Sequence, residues 1–145
     1  MKSFVAFSVI LSAFLLSGCE KQSCNRSAKE VNSSIKREAG CFAVCFAHDS
    51  CMLDDKSRCE LDALIVWMKK NPNSSICVAG HASAVGKSAY NKRLSMRRAK
   101  SVQSYLSDHG ISESRIECKA FGEEKLPAGK GHPKKNRVAI IKKYV

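Results

Sequence analysis

The stretch GHASAVGKSAYNKRLSMRRAKSVQSYL, from Gly80 to Leu106, decides the fold. It reads as the end of a strand, a glycine-bearing loop and a long helix. The helix is expected from Ser88 or Ala89 to His109, with Leu94, Ala99, Val102 and Leu106 on one side. Gly110 falls where a left-handed C-cap belongs. Leu94, Arg98, Val102 and Leu106 are four apart and form one row on that helix. Arg98 therefore points near the edge of the core. A desolvated guanidinium is costly unless it meets a hydrogen-bonded anion, and its fork suits a carboxylate. The loop before the helix adds backbone N–H groups and a positive helix end, both of which favour anions. Two partners stay open from the residues alone: an internal carboxylate such as Asp49 or Glu60, or a carboxylate from outside.

Working outward, Phe42 to Phe46 is a short apolar run bounded by Gly40 and His48-Asp49-Ser50, and reads as a buried strand. Asp54 or Asp55 can N-cap the next segment. Leu61, Leu64, Ile65 and Met68 recur at helical spacing and predict a helix over Lys56 to Lys70, stopped by Pro72. Strands are expected at Ser75 to Ala79, Arg115 to Ala120 and Arg137 to Lys142, with a Gly- and Pro-containing loop from Gly122 to His132. The order β-α-β-α-β-β predicts an α/β chain of the α+β two-layer sandwich kind. Its mixed sheet carries both helices on one face. Right-handed crossovers would make the strands flanking each helix parallel neighbours.

The chain opens on an export pattern. Lys2 is followed by a mostly apolar run, Phe4 to Leu16, too short for a span of about 20 residues. Leu16-Ser17-Gly18-Cys19 is similar to a bacterial lipobox, in which the cysteine is acylated, with palmitate for example, and becomes the new N-terminus. We therefore expect a signal peptide over 1–18 and a polar tether over 19–40, with a helix over Ala28 to Arg37. A globular domain over 41–145 follows. Multiple acyl chains on Cys19 would make membrane anchoring stable. Glu20, in place of the Asp that marks inner-membrane retention, points to the outer membrane.

The formal net charge is +12, of which Lys2 would leave with the signal. That balance suits an anionic partner. Export and the lack of an aromatic-and-basic RNA motif argue against nucleic acid. Besides Cys19 there are Cys24, Cys41, Cys45, Cys51, Cys59, Cys77 and Cys118. In an exported chain the default is disulfides, and a local clip is expected between Cys41 and Cys59. The count is odd, so one thiol is left over. No C-x-x-C occurs, which argues against zinc and thiol-redox work. His48, His109 and His132 are scattered, and Ser83 and His81 lack a third triad member, so neither a metal site, a cofactor nor a hydrolase is expected. His81 reads as a loop-packing histidine bonded to backbone. Trp67 and Met68 read as core.

The motifs, taken in order, resemble the OmpA-like domain family, in particular its peptidoglycan-associated lipoproteins. The pieces are Phe46-Ala47-His48-Asp49, Asn71-Pro72, Gly80-His81-Ala82, Gly86, Tyr90-Asn91, Leu94-Ser95, Arg97-Arg98-Ala99, Phe121-Gly122-Glu123 and Lys135-Asn136-Arg137. The resemblance runs from about Val44 to Ile141. It implies a non-enzymatic protein that holds the diaminopimelate-bearing stem peptide of peptidoglycan and links outer membrane to wall. Tol-system proteins (TolB, TolA) are implied as further partners. It assigns Arg98 to the ligand carboxylate and places Ser83 where the family carries an aspartate. Asn91, Asp49, His48, Arg137, His81 and Leu94 match neighbouring pocket positions. The family's Asn-Arg-Arg run ends early here, at Val138. The second expectation, favoured by the neutral Ser83, is a surface-exposed lipoprotein that serves as an adhesin or interaction module.

Overall fold

The computed structural model describes residues 41–145. The expected signal peptide over 1–18, the tether over 19–40 with its helix, and Cys19 lie outside the described residues. Strand β1 spans Cys41–Cys45, helix α1 Asp55–Lys70, β2 Ser75–His81, α2 Ser88–Asp108, β3 Ile116–Gly122 and β4 Val138–Tyr144. A single 3₁₀ turn, Glu113–Arg115, precedes β3.

Local chemistry sets the helix ends. The Asp54 carboxylate accepts from Ser57 N at 2.8 Å, satisfying one of the donors that every helix start leaves unpaired. Asn71 closes α1 by donating its side-chain amide to Trp67 O at 2.8 Å. At the end of α2, Gly110 takes φ 88°, and Ile111 N donates back to Leu106 O at 3.1 Å. That left-handed C-cap was expected, and the buried Ile111 and Leu106 support it from the core.

The sheet order is β1-β4-β2-β3. β4 is antiparallel to both β1 and β2, while β2 and β3 are parallel. This corrects one expectation. β1 and β2 run the same way, but β4 lies between them, so they are not neighbours. The physical reason is the make-up of β4: Val138, Ala139 and Ile141 are all fully buried, so the strand hides apolar groups on both faces and takes an interior place.

One face of the sheet packs on both helices. Val44, Ile76, Val78, Ala139 and Ile141 meet Leu61, Leu64, Met68, Val102 and Leu106 in a single core. Trp67 lies at its margin, with Lys143 Nζ 4.0 Å from its ring centroid. Gly80 lets α2 sit close on β2: a Cβ there would fall 1.9 Å from Ser95 O. The other face bears Cys77, Ala79, Ile140 and Lys142 and lines a separate cleft of about 410 Å³.

The expected cysteine clip does not form. Cys41, Cys45 and Cys51 are free thiols, as are Cys77 and Cys118. Cys41 and Cys45 lie four residues apart on one extended strand. At ~3.3 Å per residue their Cα atoms are far beyond disulfide reach. Burial pushes the Cys77 and Cys118 thiols up, which keeps them protonated at neutral pH.

Candidate functional site

Past the C-terminal end of β2, four pieces of chain converge: the loop after β1, the loop after β2, the first half of α2 and the turn before β4. They enclose a cleft of about 230 Å³. Seven of the eight binding residues expected from the sequence line it: His48, Asp49, Ser83, Asn91, Leu94, Arg98 and Arg137.

Arg98 is fully buried. Its Nε donates to Ser50 O at 2.9 Å, one terminal nitrogen to His81 O at 2.8 Å and the other to Ala47 O at 3.2 Å. Its carbon centre lies 5.3 Å from the Phe46 ring centroid. Neither internal carboxylate considered above, Asp49 or Glu60, forms an ion pair with it among the described residues. The guanidinium is thus stitched to backbone carbonyls and carries its charge without a counter-ion. Burial, followed by the nearby Arg137, lowers its pKa to about 10, with Cys51, Asp49 and Tyr90 pulling the other way. It stays protonated at neutral pH. Three of its five N–H groups are engaged by these bonds.

Arg137 brings a second guanidinium to the cleft. One of its terminal nitrogens donates to His48 Nδ1 at 3.5 Å, so the His48 ring accepts there. The Arg137 Nε is buried without a hydrogen-bond partner among the described residues. Asp49 occupies a left-handed backbone position, φ 50°, which turns the chain at the rim. Its carboxylate accepts from the Tyr90 hydroxyl. Asn91 is a brace: its amide donates to Val85 O at 3.1 Å and to Glu123 Oε2 at 2.6 Å, tying the loop after β2 to the start of the turn after β3. Leu94 supplies an apolar wall. Ser83 is only 7% exposed, and its hydroxyl makes no hydrogen bond among the described residues.

His81 is placed elsewhere. Its ring lines the cleft on the far face of the sheet, stacked on Phe121 at 5.3 Å. Its Nδ1 pairs with Lys125 O at 2.7 Å, the loop-packing role expected from the sequence. Only its backbone carbonyl reaches the site, through Arg98. Burial lowers its pKa below the usual value. Tyr90, Val85 and Gly86 complete the site and were not singled out as binding residues. Tyr90 was within reach of the sequence, being adjacent to Asn91 and two turns before Arg97, whose side chain lies over its ring at 5.8 Å. Among the described residues no cluster of His, Cys, Asp or Glu could hold a metal ion.

Comparison with known proteins matches residues 45–139 to the OmpA family. Outer membrane porin F of Pseudomonas aeruginosa is 34% identical over 83 residues, covering 57% of this chain and 24% of that protein. The peptidoglycan-associated lipoprotein of Rhizobium meliloti is 33% identical over 82 residues, 57% of this chain and 47% of that protein. The chain thus spans less than half the length of these two relatives. Among solved structures, the peptidoglycan-associated lipoprotein from Burkholderia pseudomallei superposes with a TM-score of 0.65 at 28% identity, covering 70% of this chain and 89% of that one.

Proposed function

Since the chain belongs to the OmpA family, we propose that it is a non-enzymatic binding protein of the bacterial envelope whose Arg98 cleft holds a carboxylate of a peptidoglycan stem peptide. The observation that carries this reading is a buried guanidinium that has no counter-ion among the described residues and faces a cleft beside a second guanidinium. Such a site attracts an anion, and a low-dielectric wall strengthens the attraction. Arg98 and Arg137 supply the positive field, and Ser83 offers a neutral hydrogen bond. Leu94 packs against the apolar part of the ligand, and Asn91 keeps the loop after β2 in place. His48 and Asp49 form the rim. Relatives named for their association with peptidoglycan support the ligand class.

In the same reading Cys19 carries the lipid, the polar segment over 20–40 gives reach, and the domain stands between outer membrane and wall, open to Tol-system partners. Cys19→Ser should move the protein from the membrane fraction to the soluble fraction of lysed cells.

The test of the ligand is co-sedimentation with purified sacculi. Arg137→Gln should weaken retention about tenfold, the scale of one charged hydrogen bond, with a thermal midpoint close to that of the parent. Retention of the parent chain no better than that of an unrelated basic protein would overturn the reading.

A further inference from the structure

The electrostatics of the cleft bear on what flanks the bound carboxylate. Two guanidiniums line it, Arg98 and Arg137. Its one lining carboxylate, Asp49, already accepts from Tyr90, whose ring carries the Arg97 guanidinium over its face. Glu123 is held by the Asn91 amide and does not line the cleft. An ammonium entering here would arrive as a further cation and would need acceptors for three N–H groups. The carbonyls of Ala47, Ser50 and His81 already accept from Arg98. What the cleft does offer is the hydroxyl of Ser83, a buried residue of its lining whose side chain takes no partner among the described residues. A hydroxyl both donates and accepts, so it can satisfy an amide N–H or C=O with no charge to balance.

We infer that the cleft takes a carboxylate whose neighbouring amine is acylated, in preference to one beside a free ammonium. A peptide cross-link in a cell wall makes that change, turning the amine of a stem peptide into an amide. The inference rests on the proposed wall binding and adds to it a specificity, for cross-linked over uncross-linked stem peptide, with Ser83 as the deciding residue.

Titration calorimetry with two synthetic probes tests it. Both are stem tripeptides ending in diaminopimelate, one with the terminal amine free and the other with that amine acetylated. The parent chain should bind the acetylated probe about tenfold more tightly, the worth of one buried, unmatched polar group. Ser83→Asp should reverse the order, and Ser83→Ala should weaken the acetylated probe several-fold. Equal or tighter binding of the free amine by the parent chain overturns the inference. So does an unchanged ratio in a folded Ser83→Asp protein. If that variant does not fold, the parent ratio and Ser83→Ala decide the matter alone. Sacculus retention, measured in parallel, separates the two levels. Retention with no preference between probes removes the cross-link specificity and leaves wall binding standing. Failure of sacculi and both probes to bind removes both.

Discussion

The two ends of β2 solve the same problem in different ways. Each has an arginine whose guanidinium gathers backbone carbonyls. At the N-terminal end, Arg115 donates to Ser74 O at 2.8 Å, Asn71 O at 2.7 Å and Met68 O at 3.0 Å. Two of those carbonyls belong to the last turn and cap of α1, the negative end of a helix, so the cation sits in a field that suits it. At the C-terminal end, Arg98 gathers the carbonyls of Ala47, Ser50 and His81. Among the described residues none of those carbonyls belongs to a helix end, and Arg137 stands nearby with the same sign. The hydrogen bonding is similar, but the charge balance is not. One end is electrostatically complete and the other holds surplus positive charge next to an opening. The comparison shows that counting hydrogen bonds does not distinguish a structural arginine from a binding one. The surrounding field does.

The largest effect that could break this comparison is in stability. Arg98→Met should cost about 3–5 kcal/mol in urea unfolding, because three carbonyls lose a charged donor in a dry site. Arg115→Met should cost less, about 2 kcal/mol, because water can reach the half-exposed site and replace the donor. The reverse order would mean that Arg98 is the less embedded of the two. Gly80→Ala comes next. Its methyl group would drive Ser95 and α2 off the sheet, for a loss of about 2–3 kcal/mol. The damage should fall on the Arg98 end, so hydrogen exchange should rise over residues 91–98 before it rises around Arg115. Sharper still is a binding contrast: Arg137→Gln should weaken sacculus retention as described, whereas Arg115→Gln should leave retention of the folded protein unchanged.

The smallest effect concerns pH. Burial holds the His81 pKa below its usual 6.5, so the unfolded chain takes up a proton there before the folded one does. Stability from this group is therefore flat above the usual value and falls as pH drops below it. His81→Gln should flatten that part of the melting-temperature profile while preserving the neutral-pH fold.

The helices were legible because their apolar spacing is local: Leu61, Leu64, Ile65 and Met68 announce α1, and Asp54 and Gly110 mark helix ends by their own chemistry. The strands were found to within a residue or two. The sheet order was not, because the insertion of β4 between β1 and β2 is a pairing between distant segments, and the two-faced apolar make-up of β4 asks for an interior place without naming its neighbours. The site followed the same rule. The Leu94-Arg98-Val102-Leu106 row located the buried cation, and the motif resemblance brought Asn91, Asp49 and Arg137 beside it. The partners of Arg98 escaped notice because they are main-chain carbonyls, which every residue possesses and no side-chain pattern advertises. For the same reason the ring of His81 and its carbonyl could not be told apart, although they serve opposite faces of the sheet.

The place of β4 has a consequence for how the protein matures. β1 is the first of the described elements in the chain, and its one partner in the sheet among the described residues is β4, the last of them. Until that strand arrives, β1 has no ladder to join, and the loop carrying His48 and Asp49 is held only by its bonds to Arg98 and Tyr90 of α2. Arg137, which immediately precedes β4, is delivered at the same moment. The complete cleft should therefore form only once β4 is in place, so a chain clipped before Arg137 should hold the ligand more weakly than the parent.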